Sequence, residues 1–227
     1  VPNNPPISET PREGVVQYTF DLIEGSPGTE SELAEATRCR QELYIRDAIG
    51  CDLSRYGACY GNLSFRTGAF AAGPGRREFL VSCTKSGGLP SASGETMSRV
   101  LHYDHEKNYV LAQGPCALSS ESMTHGAIYD ASLEVRAVVH GHDPQLWQYL
   151  LQHGAPYTEE HILYGTPPMA EAAAKLVRDN LKKSWRLPGV FAMAGHEDGV
   201  VAWGASLTHA TERFLHAWHE SRHGWAR

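Results

Sequence analysis

No apolar run in the 227 residues approaches the ~20 needed to cross a bilayer. The first residues lack the basic-then-apolar layout of a secretory signal. Both absences point to a cytoplasmic protein with no membrane partner. Basic charge is short as well. Twenty Lys+Arg against 26 Asp+Glu leave −6 at pH 7, the reverse of what phosphate-backbone readers carry, so nucleic acid is not an expected partner. A local pocket for one small anion stays open. Cysteines are few, odd in number and scattered, at 39, 51, 59, 83 and 116, with no C-x-x-C. That argues against a disulfide framework or a thiolate zinc knot and predicts buried, reduced thiols. A Walker A loop is missing too, because the Gly-x4-Gly-Lys-Ser/Thr spacing does not occur. What remains is ordinary for a globular chain: 41% hydrophobic and 20% charged residues.

Residues 1–14, rich in proline and polar groups, read as a flexible arm. Helices and strands mix through 15–227 without a linker, which predicts one α/β domain. Leu33, Ala36, Cys39 and Leu43, at steps of three and four, predict a helix over 30–50, with Ile45 and Ile49 adding a second pair four apart and Gly50 as the stop. Further helices are expected over 121–131 behind a Ser119 or Ser120 cap, 144–151, 167–182 behind Thr166, and 206–221. Strands are expected at 62–66, 78–83, 99–103, 109–113, 135–140, 190–194 and 199–203, with 15–20 as a strand or docking segment.

Val138-Val139-His140-Gly141-His142 is the strongest chemical signal. In a strand, side chains two apart share a face, so His140 and His142 project together over a glycine. Neutral imidazoles are common metal ligands; two unrelated histidines at a strand end are the alternative. His196, just past a second apolar strand, is the candidate third ligand, and three histidines would leave coordination positions open, as catalytic sites do. Ser119-Ser120-Glu121 reads either as a plain helix cap or as hydroxyls beside free backbone N–H groups, an anion site. Gly61-Asn62-Leu63-Ser64 and Thr84-Lys85-Ser86-Gly87-Gly88 are glycine-containing turns that could also cradle an anion.

In this order the motifs Gly-Asn-x-Ser-x-Arg (61–66), Thr-x-Ser-Gly (84–87), Ser-Ser-Glu-x3-His-x2-Ile-Tyr (119–129), Val-Arg-Ala-Val-Val-His-x-His (135–142) and Gly-His with a following Trp-Gly (195–204) resemble the class II aldolase/adducin family, over roughly 30–220. The resemblance implies a three-layer α/β/α domain with a central, mainly antiparallel sheet. It also implies a homotetramer with active sites between subunits. It makes His140, His142 and His196 ligands of a divalent ion, zinc first, with Mn, Fe, Co or Ni also compatible with three imidazoles. Glu121 matches the catalytic carboxylate. Gly61, Asn62, Ser86, Gly87, Ser119 and Ser120 match the substrate-phosphate pocket. The implied activity belongs to carbohydrate metabolism: cleavage of a small ketose phosphate to dihydroxyacetone phosphate or a related product plus an aldehyde, through a zinc-stabilised enediolate with Glu121 as acid/base. Dehydration, epimerisation or decarboxylation on the same scaffold are the alternatives, with a non-catalytic, adducin-like interaction module outside them. Glu at 121, shared by the aldolases and dehydratases resembled where the epimerases carry Asp, favours aldolase chemistry over epimerisation. Two departures stand out. Gly195-His196-Glu197-Asp198-Gly199 replaces the familiar Asn-His-Gly, and Lys85 sits inside the phosphate turn. The family's leaving-group tyrosine has only loose counterparts, Tyr157 and Tyr164.

Overall fold

Alternate residues of the central strands face opposite ways, and both directions are apolar. In β8 (Ala137–His142), Ala137 and Val139 enter one core and Val138 the other. Strand β11 (Gly199–Gly204) divides in the same manner, Val200 and Ala202 against Val201 and Trp203. A sheet apolar on both faces has to be covered twice. Helices α1 (Glu30–Tyr44), α3 (Pro144–Gln152) and α5 (Leu207–His223) supply Leu43, Leu146 and Phe214 to the first core. Helices α2 (Ser122–Ala131) and α4 (Pro167–Lys182) supply Met123, Ile128, Met169 and Val177 to the second. The result is the expected α/β/α sandwich. The computed structural model describes residues 14–183 and 187–224; residues 1–13 of the arm read from the sequence lie outside them.

The remaining strands are β1 (Thr19–Ile23), β2 (Gly50–Asp52), β3 (Ala58–Tyr60), β4 (Asn62–Arg66), β5 (Phe79–Ser82), β6 (Met97–Asp104), β7 (Tyr109–Gln113), β9 (Tyr157–Thr158) and β10 (Val190–Met193). The main sheet runs β1-β7-β6-β5-β4-β8-β11-β10-β9. Among the described residues only the two edge pairings, β1 with β7 and β9 with β10, are parallel. Strands β2 and β3 form a separate hairpin. Strand β8 is therefore hydrogen-bonded on both sides, with His140 opposite Asn62 on β4 and opposite Val201 on β11.

Three expectations are corrected. Helix α1 stops at Tyr44, not near residue 50. Asp47 takes a left-handed φ of 55°, which reverses the chain. Ile45 is then 70% exposed, while Ile49 is buried on the approach to β2. Helix α2 begins at Ser122 with Glu121 at its cap, and neither Ser119 nor Ser120 caps it; Ser119 Oγ instead accepts from Glu121 N at 3.2 Å. Four of the five cysteines are paired, Cys51 with Cys59 and Cys83 with Cys116, leaving Cys39 free and buried. Cys51 and Cys59 meet because they are opposite one another across β2 and β3. Cys83 and Leu118 form a β-bridge that carries Cys116 alongside. Neither register can be read from spacing in the chain.

Candidate metal centre and the pocket beside it

His140 and His142 leave β8 on the side of α2 and α4. Gly141 between them faces the other way, where a Cβ would fall 2.7 Å from the Ala48 carbonyl oxygen and 2.9 Å from the Phe214 ring. Only glycine lets β8 lie that close to the first core while presenting two imidazoles to the other face. His196 comes from the turn between β10 and β11. Its N–H bonds the Met193 carbonyl at 3.0 Å, and its own carbonyl accepts from Gly199 N at 2.9 Å.

One ligand nitrogen from each of the three rings lies within 4.8 Å of the others, and all three residues are buried. His140 Nδ1 lies 3.2 Å from the Val200 carbonyl. Donation there leaves Nε2 as the metal-facing lone pair. The Nε2 atoms of His140 and His142 are 3.2 Å apart. Tetrahedral Zn–N bonds of about 2.0–2.1 Å put two nitrogens about 3.3 Å apart, so the pair already has the bite of a zinc site. Burial, followed by the neighbouring His196 and His140, holds the His142 imidazole well below its ordinary range. A neutral ring is the form that coordinates. The residues fit a divalent ion.

Glu121 is 1% exposed and reaches this cluster from the start of α2, its Oε1 3.9 Å from His196 Nδ1. One turn on, His125 Nδ1 meets Ser64 Oγ at 2.7 Å, and Ser64 Oγ meets the Tyr129 hydroxyl at 2.6 Å. Burial, then His140, pushes His125 down to about 3, so its ring is neutral at physiological pH. The motif's histidine and tyrosine thus form a buried polar chain beneath the cluster.

The candidate anion residues fall into one neighbourhood. Asn62 flanks His140 through the β4–β8 register. Ser119 N donates to the Ser82 carbonyl, and Thr84 N to the Ala117 carbonyl, which joins the 84–88 turn to the start of α2. The Cys83–Cys116 disulfide ties the same two segments covalently. Gly87 is pressed onto β3, where a Cβ would overlap the Tyr60 carbonyl oxygen. Gly61 takes a φ of 76° against Ile49. The Ser86 hydroxyl donates to the Cys83 carbonyl at 2.8 Å, so it holds the turn's own shape. Ser119 and Ser120 are buried. Lys85, at φ 60°, is exposed on the turn.

Sequence reasoning missed the buried cation that supports this turn. Arg40 on α1 is fully buried and donates to the Leu89 carbonyl at 2.6 Å, to Ser82 Oγ at 3.0 Å and to the Ser86 carbonyl. Burial lowers its pKa to about 10, so it stays charged. Its place on the apolar face of α1 was the available signal. Arg40→Met is expected to destabilise the protein by roughly 2–4 kcal/mol, because three acceptors lose a charged donor. The check is a lower urea midpoint at unchanged slope.

Aromatic rings around the cluster were also largely missed. Tyr164, one of the two loose candidates, stacks on His196 with centroids 4.2 Å apart and planes 17° from parallel. Tyr157, the other, is 51% exposed on edge strand β9. Tyr56 and Tyr60 of the hairpin stand against His142 at 4.9 and 5.3 Å.

An α/β/α sandwich whose central strand offers paired imidazoles beside a carboxylate at a helix start defines the class of protein. The sequence model described as Class II Aldolase and Adducin N-terminal domain matches residues 53–219, and the chain belongs to this family. Solved structures agree on the fold. The L-fuculose-1-phosphate aldolase of Thermus thermophilus superposes with a TM-score of 0.56 at 20% identity, over 84% of this chain and 90% of its own. A sugar-phosphate aldolase from Thermotoga maritima gives 0.60 at 16% identity, over 84% and 92%. YgbL of Escherichia coli, provisionally termed an aldolase/epimerase/decarboxylase, gives 0.58 at 18% identity, over 85% and 87%. A search of curated proteins finds no match. No described helix is long and apolar enough to cross a membrane.

Proposed function

We propose that the protein is a divalent-metal-dependent aldehyde-lyase. Its substrate is a small ketose phosphate, cleaved to dihydroxyacetone phosphate or a related product plus an aldehyde. The observation that carries this reading is the convergence of His140, His142 and His196 with the Glu121 carboxylate 3.9 Å from His196. Those three imidazoles would hold the ion, zinc first. When bound, it supplies Lewis-acid stabilisation of the negative charge that develops as the C–C bond breaks.

This chain's own residues do the rest. Glu121, buried at the mouth of α2, holds and moves the proton at the carbon that loses its bond. The backbone N–H groups at the start of α2, with Ser119, Ser120 and Asn62, bind the phosphate. Gly87 and Gly61 let the backbone close around it, and Ser86 keeps the turn in shape. Exposed Lys85 adds a cation at the rim. Tyr164, fixed on His196, is better placed than Tyr157 to serve the departing aldehyde. Leu53 and Leu89 are 72% and 49% exposed on the hairpin and beside the turn. This is apolar surface of the kind a subunit contact covers, in keeping with a homotetramer. The cytoplasmic setting is part of the same reading, and the two disulfides are the observation that weighs against it.

The test is a panel of phosphorylated pentuloses and hexuloses assayed for aldehyde release with Zn(II), Mn(II), Fe(II), Co(II) and Ni(II). A matched set of unphosphorylated keto acids runs alongside. Aldehyde released from a ketose phosphate, and abolished by chelator, is the expected result. Turnover of keto acids alone would remove the phosphate assignment and favour decarboxylation.

A further inference from the structure

We propose that Arg55, Tyr56 and Asp198 form a clasp between the β2–β3 hairpin and the histidine cluster, with Asp198 as a positioning residue for His142 and His196. The inference rests on the metal reading of the three histidines and adds residues that the reading does not use.

Asp198 is two residues past His196, inside the segment Glu197-Asp198 where this chain departs from the Asn-His-Gly of the family it resembles. It adopts a left-handed φ of 62°. Its side chain is 4% exposed, and one oxygen, Oδ2, takes both the Tyr56 hydroxyl at 2.7 Å and an Arg55 guanidinium nitrogen at 2.7 Å. The same Arg55 nitrogen reaches Glu197 at 3.5 Å. Meanwhile the Asp198 backbone carbonyl accepts from the N–H of Asp143 at 3.0 Å, and Asp143 directly follows His142. One residue therefore touches three things: the turn that carries His196, the chain that leaves His142, and the hairpin tip.

Tyr56 completes the arrangement. Its hydroxyl is held by Asp198, and its ring stands edge-on to His142 at 78°. The hairpin that bears it is cross-linked by Cys51–Cys59, which face one another at the middle of its two strands. A carboxylate buried this far is retained only where its partners are fixed. Outer-shell groups of this kind orient ligand rings and set how tightly a site closes on its ion.

Metal-free protein titrated with Co(II), read by visible absorption and by dissociation constant, tests the clasp. Tyr56→Phe keeps the ring and removes the bond to Asp198; Asp198→Asn keeps the shape and removes the charge. Each is expected to weaken Co(II) binding about 10-fold or more and to shift the visible bands. The double variant is expected to lose less than the sum of the two single losses, because both changes weaken one cluster around Asp198 Oδ2. If Asp198→Asn does not fold, Tyr56→Phe alone decides. Wild-type affinity and spectrum in the variants, with only a lower urea midpoint, would overturn the clasp and leave an ordinary packing contact. Wild-type protein that takes up no Co(II) would fail the metal reading itself, and the clasp with it.

Discussion

Glu121→Gln is expected to keep the metal and lose turnover by a factor of ~10²–10⁴. Glutamine fills the same volume in a site with 1% exposure, so packing at the start of α2 should survive. It cannot take or return a proton. Glu121 is not one of the three residues whose ligand atoms group together, so on the proposed reading the ion should stay. The measurement is kcat alongside metal content on the same preparation. Wild-type turnover in the variant would remove Glu121 from the chemistry, and loss of metal together with turnover would make it a ligand.

His140→Ala should have the larger effect on the ion. His140 is fully buried, its ring is oriented by the Val200 carbonyl, and its Nε2 sits 3.2 Å from that of His142. Removing it leaves His142 alone on a strand that cannot shift to compensate, since β4 and β11 bond β8 on both sides, with His196 opposite on the β10–β11 turn. The loss should exceed the ~10–100-fold typical of residues that only support a ligand. Co(II) titration of metal-free variant and wild-type protein gives the ratio, with circular dichroism to show that the variant is folded. Equal affinities would sink the three-histidine centre.

Much of this is legible in the chain itself. The β-branched run ending in His-Gly-His sits on a strand, shifted two residues toward its C-terminal end. Period-2 alternation places both rings on one face, as the structure has it. Strands β4 and β7, and helix α4 with its Thr166 cap, follow the expected bounds. Short elements were not legible: β2, β3 and β9 hold three, three and two residues, too few for a period to register. The cysteine pairs and the Tyr56–Asp198 bond join segments brought together by the fold, and separation along the chain carries no trace of them. Arg40 shows in the chain only as a polar residue on an otherwise apolar helix face; its acceptors, backbone carbonyls of a distant turn, do not show.

Being bonded along both flanks makes β8 a stiff place to anchor chemistry. On the proposed reading, much of what would touch the rest of a substrate is carried instead by connecting segments: the 84–88 turn, the Ser119-Ser120 stretch and the segment around Tyr164. Grafting new versions of those segments should redirect which compound is accepted while the reaction type persists, a natural starting point for directed evolution.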